Sequence, residues 1–109
     1  FSTANKDIMT ILLPILDNFE RSIKANNYAD DDGSVLIYKQ LKSELTKKGL
    51  TQMEDPIGKT LDTDFHEAIT NIPAPTDADK GKIMDVIEKG YLLGDKVLRY
   101  AKVVVANKE

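Results

Sequence analysis

The chain has 109 residues, and its 15 basic and 18 acidic side chains give a net charge of −3 near neutral pH. That length suits one domain, or one small domain with a helical extension. The absence of cysteine excludes disulfides, thiolate metal sites and a thiol nucleophile, and the acidic balance argues against a nucleic-acid surface. No apolar run reaches the roughly 18 residues of a membrane span. Because Phe1 starts inside a helical pattern without an initiating Met, we expect a piece of a longer protein.

An amphipathic helix is predicted for the first part of the chain. Its apolar residues recur every three or four positions, which places them on one helical face. Pro14 removes a backbone donor, so we expect a kink or a weakened hydrogen-bond ladder within a helix that continues past it. The face consists of Ile8, Leu12, Ile15, Phe19 and Ile23, widened by Ile11 and Leu16.

A second helix follows an acidic turn over residues 26–33, where Asn, Asp and Gly are typical of a chain reversal. Ser34 is the predicted N-cap of this helix. Gly49 is suited to the left-handed position after its end, behind Lys47 and Lys48. Its apolar positions repeat by four at Ile37, Leu41 and Leu45. Residues 1–49 are therefore predicted to form a helical hairpin.

Residues 50–109 have a different texture and are predicted to form a compact β-rich domain. Strands are predicted at Ile83–Glu88 and over residues 97–105, where β-branched residues are frequent. Gly94-Asp95 between them is typical of a hairpin turn. One helical turn over 62–68 and a further strand over 68–72 complete the prediction. The expected fold class is α+β, with the boundary near Gly49.

Three short motifs partly match known chemical sites. Gly58-Lys59-Thr60 lacks the earlier glycine of a phosphate-binding loop and is interpreted as a turn, so no direct nucleotide binding is expected. His66-Glu67 lacks the second His of a zinc-protease pattern, and a small hydrolase using Asp62, His66 and Glu67 is the least favoured function. Residues 30–32 fail the register of a calcium loop. We therefore predict no metal, no cofactor and no enzyme activity.

The apolar faces of the two helices point to association between copies of the chain. One helical hairpin offers too little surface to bury both faces, whereas two hairpins bury them in a four-helix bundle. Packing of the hairpin on its own β domain is the competing arrangement. The predicted interface of this homodimer comprises Ile8, Leu12, Ile15, Phe19, Ile23, Ile37, Leu41 and Leu45.

An ordered set of short segments resembles the GrpE family, the nucleotide exchange factors of DnaK-type chaperones. The segments are residues 12–21, residues 38–41, His66-Glu67-Ala68, Lys89-Gly90-Tyr91 and residues 103–106. The resemblance implies a homodimer with a four-helix bundle, whose β domain binds the ATPase domain of the chaperone and opens its cleft so that ADP leaves. It implies a bacterial cytoplasmic location, with an organelle matrix left open. The acidic balance and the lack of a long apolar run predict no nucleic-acid and no membrane partner. A structural dimerisation or adaptor module without exchange activity is the alternative.

The same resemblance implies chaperone contacts at individual positions. Lys96 corresponds to a basic contact at the hairpin, where Gly94-Asp95-Lys96 replaces the commoner Asn/His-Gly-Arg, so the charge stays but the arginine fork is lost. Gly33 corresponds to a contact glycine, or else is a plain turn glycine. The implied apolar contacts are Ile87, Ala101 and Val105. Strand alternation gives Ala101 and Val105 one face, which serves either the domain core or a contact patch.

Overall fold

The computed structural model describes residues 3–107, and the chain divides after Leu50 into two compact units. The first unit contains helices α1 (Thr3–Ala25) and α2 (Gly33–Lys47). The strands are β1 (Leu50–Gln52), β2 (His66–Pro73), β3 (Ile83–Glu88), β4 (Tyr91–Leu93), β5 (Lys96–Arg99) and β6 (Ala101–Asn107), with a 3₁₀ turn at Asp77–Asp79. Two helices followed by β-structure confirm the predicted α+β class.

Helix α1 runs through Pro14 without a break, as predicted. Its end is set by Asn27, which has a left-handed φ of 52°. The Tyr28 amide donates to the Ile23 carbonyl at 3.1 Å and the Asn27 amide to the Lys24 carbonyl at 3.2 Å. This hydrogen-bond pair satisfies carbonyls that a helix end otherwise leaves open, and Asn tolerates the left-handed position better than most residues.

Helix α2 is capped two residues earlier than predicted. The carboxylate of Asp32 accepts a hydrogen bond from the Ser34 amide at 2.9 Å, so Asp32 is the N-cap and the assignment of Ser34 was wrong. An Asp also places a negative charge at the positive end of the helix dipole, which Ser cannot do. At the other end, Gly49 has a φ of 101°, which confirms its predicted left-handed conformation.

A polar and aromatic cluster joins the two helices. The ring centroids of Phe19 and Tyr38 lie 5.8 Å apart, and the Tyr38 hydroxyl donates to Glu20 Oε1 at 2.8 Å. Lys42 Nζ lies 4.0 Å from the same carboxylate and 5.7 Å from the Tyr38 ring centroid. Because these side chains come from both helices, they fix the antiparallel register of the hairpin.

The second unit is built from two three-stranded sheets, ordered β1-β4-β5 and β2-β6-β3. Strand β6 lies in the middle of its sheet, parallel to β2 and antiparallel to β3. Its apolar residues Ala101, Val103 and Val105 form a core cluster with Ile83 of β3. Met53, Leu61 and Val86 pack against this cluster.

The structure corrects the predicted strand pairing. The segment predicted as one strand over 97–105 is broken at Tyr100 into β5 and β6. Across the Gly94-Asp95 turn, β5 pairs with β4, whereas β3 pairs with β6. The predicted helical turn over 62–68 is a shorter turn, in which the His66 amide donates to the Asp62 carbonyl at 2.8 Å, and β2 starts at His66.

The hydrogen bond between Tyr38 and Glu20 generates a prediction for stability. Tyr38→Phe should lower the free energy of unfolding by about 1–2 kcal/mol, because the ring stays in place while a bond to a charged acceptor is lost. Urea unfolding followed by circular dichroism measures the change. Tyr28→Phe, at an exposed tyrosine between the helices, is the matched control, and equal midpoints for the two variants would contradict the assignment.

Candidate partner-binding surface

The β4–β5 hairpin presents Lys96 at its tip. Leu93 pairs with Lys96 across the two-residue turn Gly94-Asp95. Gly94 has a φ of 63°, a backbone conformation that is unfavourable for most residues other than glycine. Tyr91 and Leu93 are buried and anchor the hairpin, while the Lys96 side chain is exposed. The fold therefore places the positively charged side chain of Lys96 at the end of a short hairpin that buried residues anchor.

Ile87 is exposed because of an irregularity in β3. The register with β6 shifts between Val86 and Glu88, which leaves Ile87 as the extra residue of a bulge. A bulge re-aims the side chain that it carries. Ile87 is 55% exposed although it lies within a strand that covers the core. It is thus an apolar side chain displayed to solvent.

Ala101 and Val105 lie in the core of the second unit and not on its surface. They are 1% and 6% exposed and pack with Ile83 and Val103. Of the two roles that strand alternation left open for them, the structure supports burial. Ala101 and Val105 therefore contribute almost nothing to the surface of this unit.

Gly33 is the first residue of α2, and its conformation does not require glycine. It is absent from the positive-φ glycines, and a Cβ added there would meet no atom within 4 Å. The fold of the chain therefore does not require glycine at this position.

The helical unit leaves part of its apolar surface open. Ile8, Ile11 and Ile15 lie within about 60° of one another at 100° per residue, and all three are exposed, Ile11 at 66%. On α2, Ile37 is 61% exposed. We call these four residues the isoleucine stripe.

The other predicted interface positions are more covered in the folded chain. Leu12, Phe19, Ile23 and Leu41 are half-buried and Leu45 is buried. The most covered positions of α1 are ones that the spacing argument assigned to no interface or only to the margin of the face. They are Met9, Leu13 and Leu16.

The residues of the least favoured hydrolase form a turn. His66 Nδ1 accepts a hydrogen bond from the Asp62 amide at 3.1 Å, and the Asp62 carboxylate accepts one from the Asp64 amide at 3.0 Å. Glu67 follows His66 in β2 and so points to the opposite face of the strand. The histidine and the aspartate are therefore engaged with backbone amides and not with each other as an acid and base.

Gly58-Lys59-Thr60 also belongs to a turn, as predicted. The Lys59 amide donates to the Pro56 carbonyl at 3.0 Å, and Gly58 has a φ of 85°. The Lys59 ammonium pairs with Glu54.

No group of three or more His, Asp or Glu side chains within residues 3–107 is arranged to hold a metal ion. Neither helix of the described range is both long and apolar enough to cross a membrane.

Comparisons with known proteins agree along nearly the whole chain. The GrpE family model matches residues 1–107. A Protein GrpE of Bacteroides thetaiotaomicron is 46% identical over 99 residues, covering 86% of this chain and 51% of that protein. One of Parabacteroides distasonis is 42% identical over 108 residues, covering 94% and 55%, and one of Stenotrophomonas maltophilia is 39% identical over 109 residues, covering 94% and 61%. The chain thus spans about half the length of the first of these relatives.

The ion pair beneath the Gly58 turn generates a pH prediction. The Lys59 ammonium, by hydrogen bonding and then by charge, holds the pKa of Glu54 below its ordinary value of 4.5. A lowered folded pKa gives stabilisation that is present above the ordinary pKa and is lost as the pH falls through the lowered one. Because Glu54 is exposed, this stabilisation is small. Lys59→Gln should return the pKa to its ordinary value in an NMR titration, and Lys80→Gln should leave it low.

Proposed function

The chain belongs to the GrpE family, and on that basis we propose that it acts as a co-chaperone that promotes nucleotide exchange on a DnaK-type chaperone. The observation that carries the proposal is the match of the family model over residues 1–107. An exposed cation on an anchored hairpin and an exposed apolar stripe on the helices support it. The cation on the hairpin is proposed to contact the chaperone, and the apolar stripe is proposed to contact a second copy of the chain.

Exchange of this kind needs no chemistry on a bond. The factor binds the open form of the ATPase domain more tightly than the closed, ADP-filled form, and so shifts the population towards the open form. By thermodynamic reciprocity, ADP weakens the binding of the factor by the same coupling free energy. Such a factor has no need to bind nucleotide itself, which agrees with the turn formed by Gly58-Lys59-Thr60.

Lys96 and Ile87 are the proposed contacts on the second unit. Lys96 supplies a positive charge for an acidic group of the ATPase domain, and Ile87 supplies apolar area beside it. Lysine acts as a point charge and lacks the bidentate fork of arginine, so this contact tolerates more than one geometry. Gly33 is a separate proposed contact on the helical unit, where the missing side chain lets a partner backbone approach.

Homodimerisation through a four-helix bundle is the proposed role of the isoleucine stripe. Burying one fully exposed Ile is worth about 1.5–3 kcal/mol. The four isoleucines are between 43% and 66% exposed, so each contributes about half of that value, and four on each copy still favour association. Two antiparallel hairpins present their stripes to each other in a bundle. The half-buried Leu12 and Leu41 would complete the contact.

The alternative function is a dimerisation or adaptor module without effect on nucleotide turnover. The isoleucine stripe supports association equally in both cases, so it does not separate them. The two functions are separated by a stopped-flow measurement of the release of fluorescent ADP from the cognate ATPase domain. The proposal expects faster release as the chain is added, whereas unchanged release at saturating chain would leave only the adaptor function.

Charge reversal at the hairpin tip tests the chaperone contact. Lys96→Glu should weaken binding to the ATPase domain because it replaces an attraction by a repulsion, and it should leave dimer mass unchanged. Isothermal titration at low salt measures the affinity. Lys80→Glu makes the same change of charge beside the 3₁₀ turn of the same unit and should have little effect. Equal affinities for Lys96→Glu and the wild type would remove Lys96 from the interface.

A charge in the stripe tests the dimer. Ile15→Asp should shift the chain towards monomer, because an unpaired carboxylate in the bundle carries a desolvation cost. Thr10→Asp is the matched control, since Thr10 is exposed on the same helix about 140° away from Ile15. Sedimentation equilibrium reads the mass of both variants. A full-strength dimer for Ile15→Asp would show that the stripe is not the interface.

A further inference from the structure

We propose that Arg99 is a positioning residue, which holds the Lys96 hairpin against the Ile87 bulge so that both side chains reach the chaperone in one arrangement. The inference rests on the proposed function and adds to it a residue that does not itself contact the partner. Lys96 lies on β5 and Ile87 on β3, which belong to different sheets of the second unit. Their relative position therefore depends on whatever joins the two sheets.

Arg99 makes that joint with its guanidinium group. Its Nε and Nη2 donate to the Lys89 carbonyl at 3.0 and 2.8 Å, and its Nε lies 3.4 Å from Glu88 Oε1. Its Cζ is 5.5 Å from the centroid of the Tyr91 ring. The Arg99 side chain is only 16% exposed. One side chain of the hairpin thus contacts the end of β3, the connection after it and the start of β4.

The connection that Arg99 holds is short and tightly packed. It consists of Lys89 and Gly90, and the Gly90 carbonyl accepts a hydrogen bond from the Met53 amide at 2.9 Å. A Cβ at Gly90 would lie 2.7 Å from the Ala101 amide nitrogen and would overlap Met53 Sδ. The backbone of Lys89 and Gly90 therefore has little conformational freedom. Because Arg99 binds this backbone, the position of the hairpin is coupled to the position of the Ile87 bulge.

The chemistry of the contact favours arginine over lysine. Two donors of one planar group reach a single carbonyl while the same plane lies near an aromatic ring and a carboxylate. A lysine ammonium has no plane to stack and no fixed fork. Lys102 provides a natural comparison, because its Nζ lies 3.9 Å from the same Glu88 oxygen but it belongs to β6 and not to the hairpin.

The first experiment measures binding of the full chain to the nucleotide-free ATPase domain. Arg99→Gln should weaken the affinity roughly 3- to 30-fold, the range expected for residues that act through others, while Lys102→Gln stays near the wild type. In a Lys96→Ala background the effect of Arg99→Gln should shrink, because the contact that it positions is gone. Full additivity would overturn the inference, since a general loss of folded protein weakens binding regardless of Lys96.

The second experiment needs no chaperone. The chain contains no cysteine, so a variant with both Ile87→Cys and Lys96→Cys carries spin labels at these two positions alone. Dilution with unlabelled chain leaves only the distance between the two labels within one chain. Arg99→Gln should broaden the distance distribution and Lys102→Gln should not. Equal widths would overturn the inference. If the wild-type chain fails to bind the ATPase domain, the proposed function fails, and the spin-label widths still decide whether Arg99 holds the two positions together.

Discussion

Removal of apolar surface from water is the constraint on which the organisation of the helical unit depends. A two-helix hairpin can turn only one side of each helix towards the other, so an amphipathic sequence with wide apolar faces leaves part of them uncovered. The folded chain buries Met9, Leu13 and Leu16 and leaves Ile11 and Ile37 exposed. In the proposed four-helix bundle, a second copy of the chain packs on this surface.

In the proposed function, the second unit displays a few side chains in a fixed geometry on a unit of about sixty residues. Its core is small and lies along the central strand β6, so the hairpin carrying Lys96 receives much of its support from local contacts. Arg99 and the close packing of Gly90 provide such contacts. In the proposed mechanism, affinity that depends on the state of the partner requires a surface that does not adapt equally to both states, because equal affinity shifts no population.

The positions of the helices along the chain were predictable because their signals are local, whereas the most buried positions of α1 were not. Periodicity located both helices, and the turn residues located their ends, although Asp32 and not Ser34 proved to be the cap. The strand pairing was not predictable, because alternation assigns faces but neither partner nor register. For example, the sequence did not indicate that β3 pairs with β6. Alternation placed Ala101 and Val105 on the same face of a strand, but it did not indicate that this face is the buried one. The Arg99 joint is formed with a segment about ten residues earlier in the chain, and no local motif indicates it.

The central claim is that the chain promotes exchange through preferential binding to the open, nucleotide-free ATPase domain. The most direct measurement is the affinity of the chain for that domain, determined once without nucleotide and once with saturating ADP. The account predicts clearly tighter binding without nucleotide, with a ratio equal to the factor by which the chain weakens ADP binding. Equal affinities in the two conditions would contradict it.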